Sequence, residues 1–156
     1  MRITVSGLPG SGTTTLARRL AESCGIPLVS AGEVFRQMAQ EQGIDLAAFG
    51  ALAEKKPEID RGIDQRQQEI AGNYPDVVLE GRLSGWMVRD ADVKVWLKAP
   101  LACRVQRIHE RDGIADLSAA EQMTLAREGC EAQRYRTYYS IDIADLSIYD
   151  IILDSS

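Results

Sequence analysis

Short apolar runs alternate along this chain with longer stretches of helical periodicity. Five runs rich in apolar or β-branched residues read as strands: Ile3 to Ser6, Pro27 to Ser30, Asp76 to Glu80, Val93 to Leu97, and Tyr149 to Leu153. The first, third, fourth and fifth lack strict alternation, the pattern of strands covered on both faces. Between the strands, apolar residues recur at helical spacing, as in Leu16, Ala17, Leu20, Ala21 and Cys24 before a natural stop at Gly25. Ser30 with Glu33 and Ser118 with Glu121 have the spacing of capping boxes that open helices. Strands separated by helices predict an α/β fold with a parallel sheet.

The connection between the second and third strands is longer than a simple crossover needs. It holds three helical stretches, roughly 31–42, 45–54 and 57–71, the last with Pro57 in a first-turn position. The excess reads as a helical insertion over the C-terminal edge of the sheet, where open α/β folds bind ligands.

With 156 residues and 45% hydrophobic content, the chain can bury one ordinary core, and a single domain is expected. The net charge of −5 argues against a nucleic-acid partner, whose footprint is a basic patch. Of 18 basic residues only Lys55, Lys56, Lys94 and Lys98 are lysine, which leaves 14 arginines. Arginine presents a planar fork that pairs with phosphate oxygens two at a time. Cys24, Cys103 and Cys130 are widely spaced with no C-x-x-C pair, so neither a disulfide framework nor a zinc site is suggested, and a cytoplasmic location fits. No leading segment resembles a signal peptide and no apolar run reaches membrane-spanning length, so no membrane association is expected.

The stretch "SGLPGSGTTT", positions 6 to 15, stands between the first strand and a helix. It almost spells the phosphate loop G-x-x-x-x-G-K-[ST]. Gly7, Gly12 and Thr14 are in register, and Thr13 stands where the lysine belongs. Glycines let such a loop turn tightly and aim consecutive N–H groups at phosphate oxygens, with the helix N-terminus adding partial positive charge. Thr14 is the expected Mg²⁺ ligand, whereas Thr13 supplies no charge, so positive charge is sought elsewhere. In "APLACRVQRIHERDG", Arg104, Arg107 and Arg111 follow one helix face beside the apolar Leu101, Val105 and Ile108. In "LAREGCEAQRY", Arg127, Glu131 and Arg134 share another, with salt bridging as the plain structural explanation. At the end of the third strand, "EGR" offers Glu80 for an indirect metal or water-positioning role and Arg82 as a phosphate grip, and Arg36 is similarly placed after the second strand. Asp60, Arg61, Gln65 and Gln68 lie where a base could be read, and His109 is expected at the surface.

These segments, with "SAGEVFRQMA", "PEIDRGIDQRQ", "VVLEGRLSGWM", "VWLKAPLACRVQRI" and "IDIADLSIYDIIL", resemble the archaeal-type cytidylate kinases, nucleoside monophosphate kinases of the P-loop fold. "EGRLSGW" and "IDIADLSIYD" make the resemblance specific. It implies a three-layer P-loop NTPase fold with a five-stranded parallel sheet in order 2-3-1-4-5, built as one domain over 1–156. The core would be 1–30 and 76–156, the monophosphate-binding helical insertion 31–75, and a short lid would lie at about 111–118. It implies transfer of the ATP γ-phosphoryl group to CMP or dCMP with Mg²⁺, in a protein expected to be monomeric. Members of this group also carry Thr after the second loop glycine.

By the same resemblance, Gly7, Leu8, Pro9, Gly10, Ser11, Gly12, Thr13, Thr14 and Thr15 would hold the ATP phosphates, with Thr14 on the metal. Ser30, Arg36 and Arg82 match monophosphate contacts; Gly81 lies in the same motif, where relatives have Asp-Gly-Arg and this chain has Glu80. Arg61 and Glu131 are further expected substrate contacts, and Arg107, Arg111, Arg127 and Arg134 are the expected catalytic charges from the lid side and the substrate-lining helix. Relatives continue past the fifth strand with an adenine-touching loop and a further helix, whereas this sequence stops at "LDSS". Two other readings remain at this point: a kinase for AMP or UMP, and a nucleotide-binding regulatory module that transfers nothing.

Overall fold

A computed structural model describes residues 1–156. Strand β1 (Arg2–Gly7) is central, pairing in parallel with β3 (Val77–Glu80) on one side and β4 (Val93–Lys98) on the other. With β2 (Leu28–Ser30) beside β3 and β5 (Ile151–Asp154) beside β4, the sheet has five strands in the expected order β2-β3-β1-β4-β5.

Strand β3 shows why alternation is missing from the sequence. Val78 packs with Ile3, Val5 and Val95 against Ala17 and Ala21 of helix α1 (Thr13–Cys24), whereas Val77 and Leu79 pack on the opposite face with Val29, Ala71 and Val88. A strand whose two faces are both buried needs apolar residues at every position. Strand β5 corrects that expectation. It lies at the sheet edge outside the apolar clusters, and Ile151, Ile152 and Leu153 are 43, 47 and 41% exposed. It also starts two residues later than expected, because Tyr149 closes a turn through its N–H to Leu146 O and buries its ring 5.2 Å from that of Trp96.

Helices α2 (Ala31–Glu41), α3 (Leu46–Lys55) and α4 (Pro57–Gly72) follow β2 and share a cluster of Val34, Ala39, Phe49, Ala53, Ile59 and Ile63. A single turn, α5 (Ser84–Met87), precedes β4. Helices α6 (Leu101–Asp112) and α7 (Leu117–Tyr139) are separated by Gly113 to Asp116. Both expected capping boxes are corrected. Ser30 stands at the N-cap of α2 but its hydroxyl bonds elsewhere, and α7 is capped by Asp116, which accepts from Ala119 N at 2.7 Å and leaves Ser118 inside the first turn. A carboxylate two residues upstream takes the position that the sequence pattern gave to a hydroxyl.

Phe49 is fully buried at the centre of the α2–α4 cluster. Phe49→Ala should lower unfolding free energy by about 3–5 kcal/mol in urea titrations, with Phe49→Leu intermediate; a loss under about 1 kcal/mol would contradict this packing.

Candidate active site

Between β1 and α1 the chain turns at Gly10 and Gly12, whose φ values of 81° and 92° lie in the left-handed region that glycine adopts without strain. A Cβ on Gly10 would also come within 2.7 Å of Arg104 O. The Ser11 N–H and hydroxyl both donate to Leu8 O, at 3.1 and 2.7 Å, which closes the turn. The N–H groups of Gly12, Thr13, Thr14 and Thr15 have no acceptor within the protein. They form an amide cradle at the start of a helix.

The carbonyl side of the loop is gripped by guanidinium groups. Arg82 Nη1 donates to Gly7 O at 3.4 Å and Arg104 Nη1 to Pro9 O at 3.1 Å, while Arg107 Nη1 donates to Gly10 O and Ser11 O at 3.2 and 3.4 Å. Arg107 is further held by Ser155, through its hydroxyl at 3.1 Å and its carbonyl. Arg104 is buried and paired with Glu128.

Opposite the loop lies Glu80, the last residue of β3, in register with Val5 of β1 and Ser30 of β2. Its carboxylate accepts from Thr13 Oγ1 at 2.8 Å on one oxygen and from Ser30 Oγ at 2.7 Å on the other. The Gln67 amide of α4 donates to Glu80 O at 2.9 Å and Val29 O at 3.2 Å, tying the ends of β2 and β3 together. Glu80 is 6% exposed and forms no salt bridge. Thr14 and Thr15 are exposed at the start of α1, and it is Thr13 that faces the carboxylate.

A second polar layer joins α4 to α7. Buried Glu131 accepts from Arg82 Nε at 3.1 Å and Arg127 Nε at 3.0 Å. Arg134 Nε lies 2.8 Å from Asp60, a charge contact whose N–H does not point along the bond. Tyr139 donates to Asp64 at 2.7 Å, and the Arg61 guanidinium lies 5.8 Å over the Tyr138 ring. Burial pushes the Asp64 carboxyl up to about 6, against the lowering effect of the Tyr139 hydrogen bond and with a smaller upward push from Asp60. Asp60 is likewise raised by burial, with Arg134 opposing.

The expected residues thus divide. Residues 7–15 of the loop, Ser30, Glu80, Gly81, Arg82, Arg107 and Glu131 converge at the C-terminal end of the sheet, with Arg127 bonded to Glu131. Arg36 is exposed with no polar partner, Arg61 stacks on Tyr138, Arg134 pairs with Asp60, and Arg111 points to its neighbour Asp112 at 2.6 Å. His109 is half-buried, with Nδ1 unpartnered, rather than at the surface. Sequence reasoning missed Gln67 and Asp64. Gln67 had a signal, since it interrupts the buried α4 stripe Ile59, Ile63, Gln67, Ala71 with a polar side chain; Asp64 had none.

A sequence model described as the cytidylate kinase-like family matches residues 2–156 of this fold. The chain belongs to that family. It is 60% identical over 155 residues to the cytidylate kinase of Methanoregula boonei, covering 99% of this chain and 85% of that protein. It is 57% identical over 155 residues to the cytidylate kinase of Methanospirillum hungatei, covering 99% and 87%. Among solved structures, a shikimate kinase from Bacteroides thetaiotaomicron superposes with a TM-score of 0.60 at 15% identity, over 99% of this chain and 85% of that one, a likeness of fold alone. No helix is long and apolar enough to cross a membrane. For the ATP and divalent metal that a cytidylate kinase family implies, the residues present fit: partnerless amides suit phosphate, and a buried carboxylate without a cation suits a metal shared with phosphate oxygens.

The folded protein holds the Asp64 proton to about pH 6, while the unfolded chain releases it near 3.8. Ionisation therefore removes stability as pH rises through that window, by about 3 kcal/mol when complete. Asp64→Asn should be more stable than wild type at pH 7.5, with the difference vanishing below about pH 4; chemical unfolding across pH tests this.

Proposed function

We propose that this chain transfers the γ-phosphoryl group of ATP to CMP or dCMP, giving ADP and CDP or dCDP, with Mg²⁺. The observation that carries the reading is Glu80, bonded at once to the loop through Thr13 and to the start of α2 through Ser30. One buried carboxylate thereby joins a donor-phosphate cradle to the neighbouring acceptor side.

Phosphoryl transfer asks a protein for alignment and for positive charge around the moving group. In this reading Gly7 to Thr15 hold the donor phosphates by main-chain N–H groups, and Ser30, Arg36, Gly81 and Arg82 fix the acceptor phosphate. Thr14 and, indirectly, Glu80 would hold Mg²⁺, which would supply positive charge to the phosphates. Residues 31–75 act as the acceptor-binding insertion and about 111–118 as a short lid. Arg111, exposed and paired only to the adjacent Asp112, would have to leave that partner to enter the site from the lid, with Arg107 behind the loop and Arg127, Glu131 and Arg134 on α7. Asp60 and Arg61, tied to α7, stay the candidates on α4 for reading a base, whereas Gln65 bonds to Glu69 and Gln68 to Met87 O. The three cysteines are free, which suits a reducing cytoplasm, and a monomer supplies every residue invoked.

A coupled assay across AMP, CMP, dCMP, GMP and UMP should show CMP and dCMP as preferred acceptors, and preference for AMP would overturn the substrate assignment. Arg82→Ala should reduce kcat/KM for CMP by about 10²- to 10³-fold. Unchanged turnover would remove Arg82 from the reaction.

A further inference from the structure

We infer that Thr13, at the position where a phosphate loop ordinarily carries lysine, is a positioning residue that fixes the Glu80 carboxylate for metal binding while leaving its charge uncompensated. The inference rests on the phosphoryl-transfer reading above and extends it to one residue.

Thr13 is 7% exposed and its two branches do different things. The methyl group packs against the loop's first glycine so closely that a Cβ on Gly7 would lie 2.8 Å from Thr13 Cγ2. A β-branched side chain is stiff at χ1, and with its methyl group against Gly7 the Thr13 hydroxyl donates to Glu80 Oε1 at 2.8 Å. Ser30 takes the other oxygen at 2.7 Å, so the carboxylate plane is held from both sides by neutral donors. Glu80 has no salt-bridge partner, and no cluster of three or more His, Cys, Asp or Glu side chains stands at the loop or elsewhere, so a metal here would rely on one carboxylate and phosphate oxygens. Glu80 is therefore the anionic anchor at the loop. A lysine at position 13 would begin its side chain at this wedge and bring an ammonium group to the same carboxylate. It would add a charge to the loop by removing the charge from the anchor.

Thr13→Val keeps the wedge and deletes the hydroxyl, Thr13→Ser keeps the hydroxyl and deletes the methyl group, and Thr13→Lys adds the competing cation. The readout is Mn²⁺ affinity in the presence of a non-hydrolysable ATP analogue, measured by electron paramagnetic resonance on the full chain. Losing an outer partner of a metal-binding carboxylate weakens metal affinity by about 10- to 100-fold. Thr13→Val and Thr13→Lys should both show a loss of this size, and Thr13→Ser should stay within a few-fold of wild type. If Val does not fold, Thr13→Ala is the hydroxyl-free variant. Wild-type affinity in Val or Ala overturns the inference, as does a Ser variant that behaves like Val. Wild type that forms no nucleoside diphosphate from any acceptor would overturn the reading of function instead, and the Mn²⁺ comparison distinguishes the two failures.

Discussion

The Glu80 carboxylate sits almost fully buried with no cation against it, a placement that is costly unless each oxygen finds a donor. Both donors come from other segments, and the parallel register delivers them. Val5, Glu80 and Ser30 stand side by side at the C-terminal ends of β1, β3 and β2. The loop leaving β1 and the helix leaving β2 therefore start on either side of one carboxylate. Had β1 and β2 been neighbours, with β3 outside them, the hydroxyls of Thr13 and Ser30 could not have met the same group. Strand order thus fixes the chemistry of this end of the sheet, and the two hydroxyls satisfy the anion without neutralising it.

Charge around the loop is arranged differently from the single lysine of the usual motif. Three arginines donate to loop carbonyls, but they are not equivalent. Arg104 is paired with Glu128, a pair close to neutral, whereas Arg82 shares Glu131 with Arg127, a cluster that keeps one net positive charge. Their effect is mainly geometric: they hold the carbonyls outward, which turns the amides inward and polarises them. Arg107 has no carboxylate partner and is restrained by Ser155 instead, so its full charge lies behind the loop. The charge around this loop is thus carried by guanidinium groups on its carbonyl side rather than by a side chain within it.

Much of this was legible in the sequence. Unalternating runs located the three inner strands β1, β3 and β4 because burial on both faces demands them, and the three helices after β2 kept their expected bounds within one residue. "EGRLSGW" and "IDIADLSIYD" now have a common reason. A Cβ on Gly85 would lie 2.6 Å from the Tyr149 ring, and Ser84 Oγ meets Ser6 Oγ at 2.9 Å, so the two motifs and β1 interlock. What stayed hidden depends on the third dimension. An apolar run cannot say whether a helix covers it, hence the exposed β5. A Ser with Glu three residues later cannot say whether the hydroxyl turns back on its helix or across to another strand, hence Ser30. Which of three consecutive threonines faces the carboxylate is set by the left-handed turn at Gly12 and by the close approach to Gly7, neither visible in the motif.

The three helices after β2 keep their own apolar cluster, separate from the two that cover the sheet. Their links to α7 are polar: Asp60 with Arg134 and Asp64 with Tyr139. Pulling α2 away from α4 exposes Phe49 and its neighbours, whereas parting α4 from α7 exchanges a hydrogen bond, an ion pair and the stacking of Arg61 on Tyr138 for water, at about 1 kcal/mol each. A polar seam therefore runs between the helical unit and α7, beside the acceptor side of the cradle. Gln67 and Ser30 lie on the strand side of that seam, bonded to the ends of β2 and β3. Motion along it would leave Glu80 held, because both hydroxyls that hold it belong to segments rooted in the sheet.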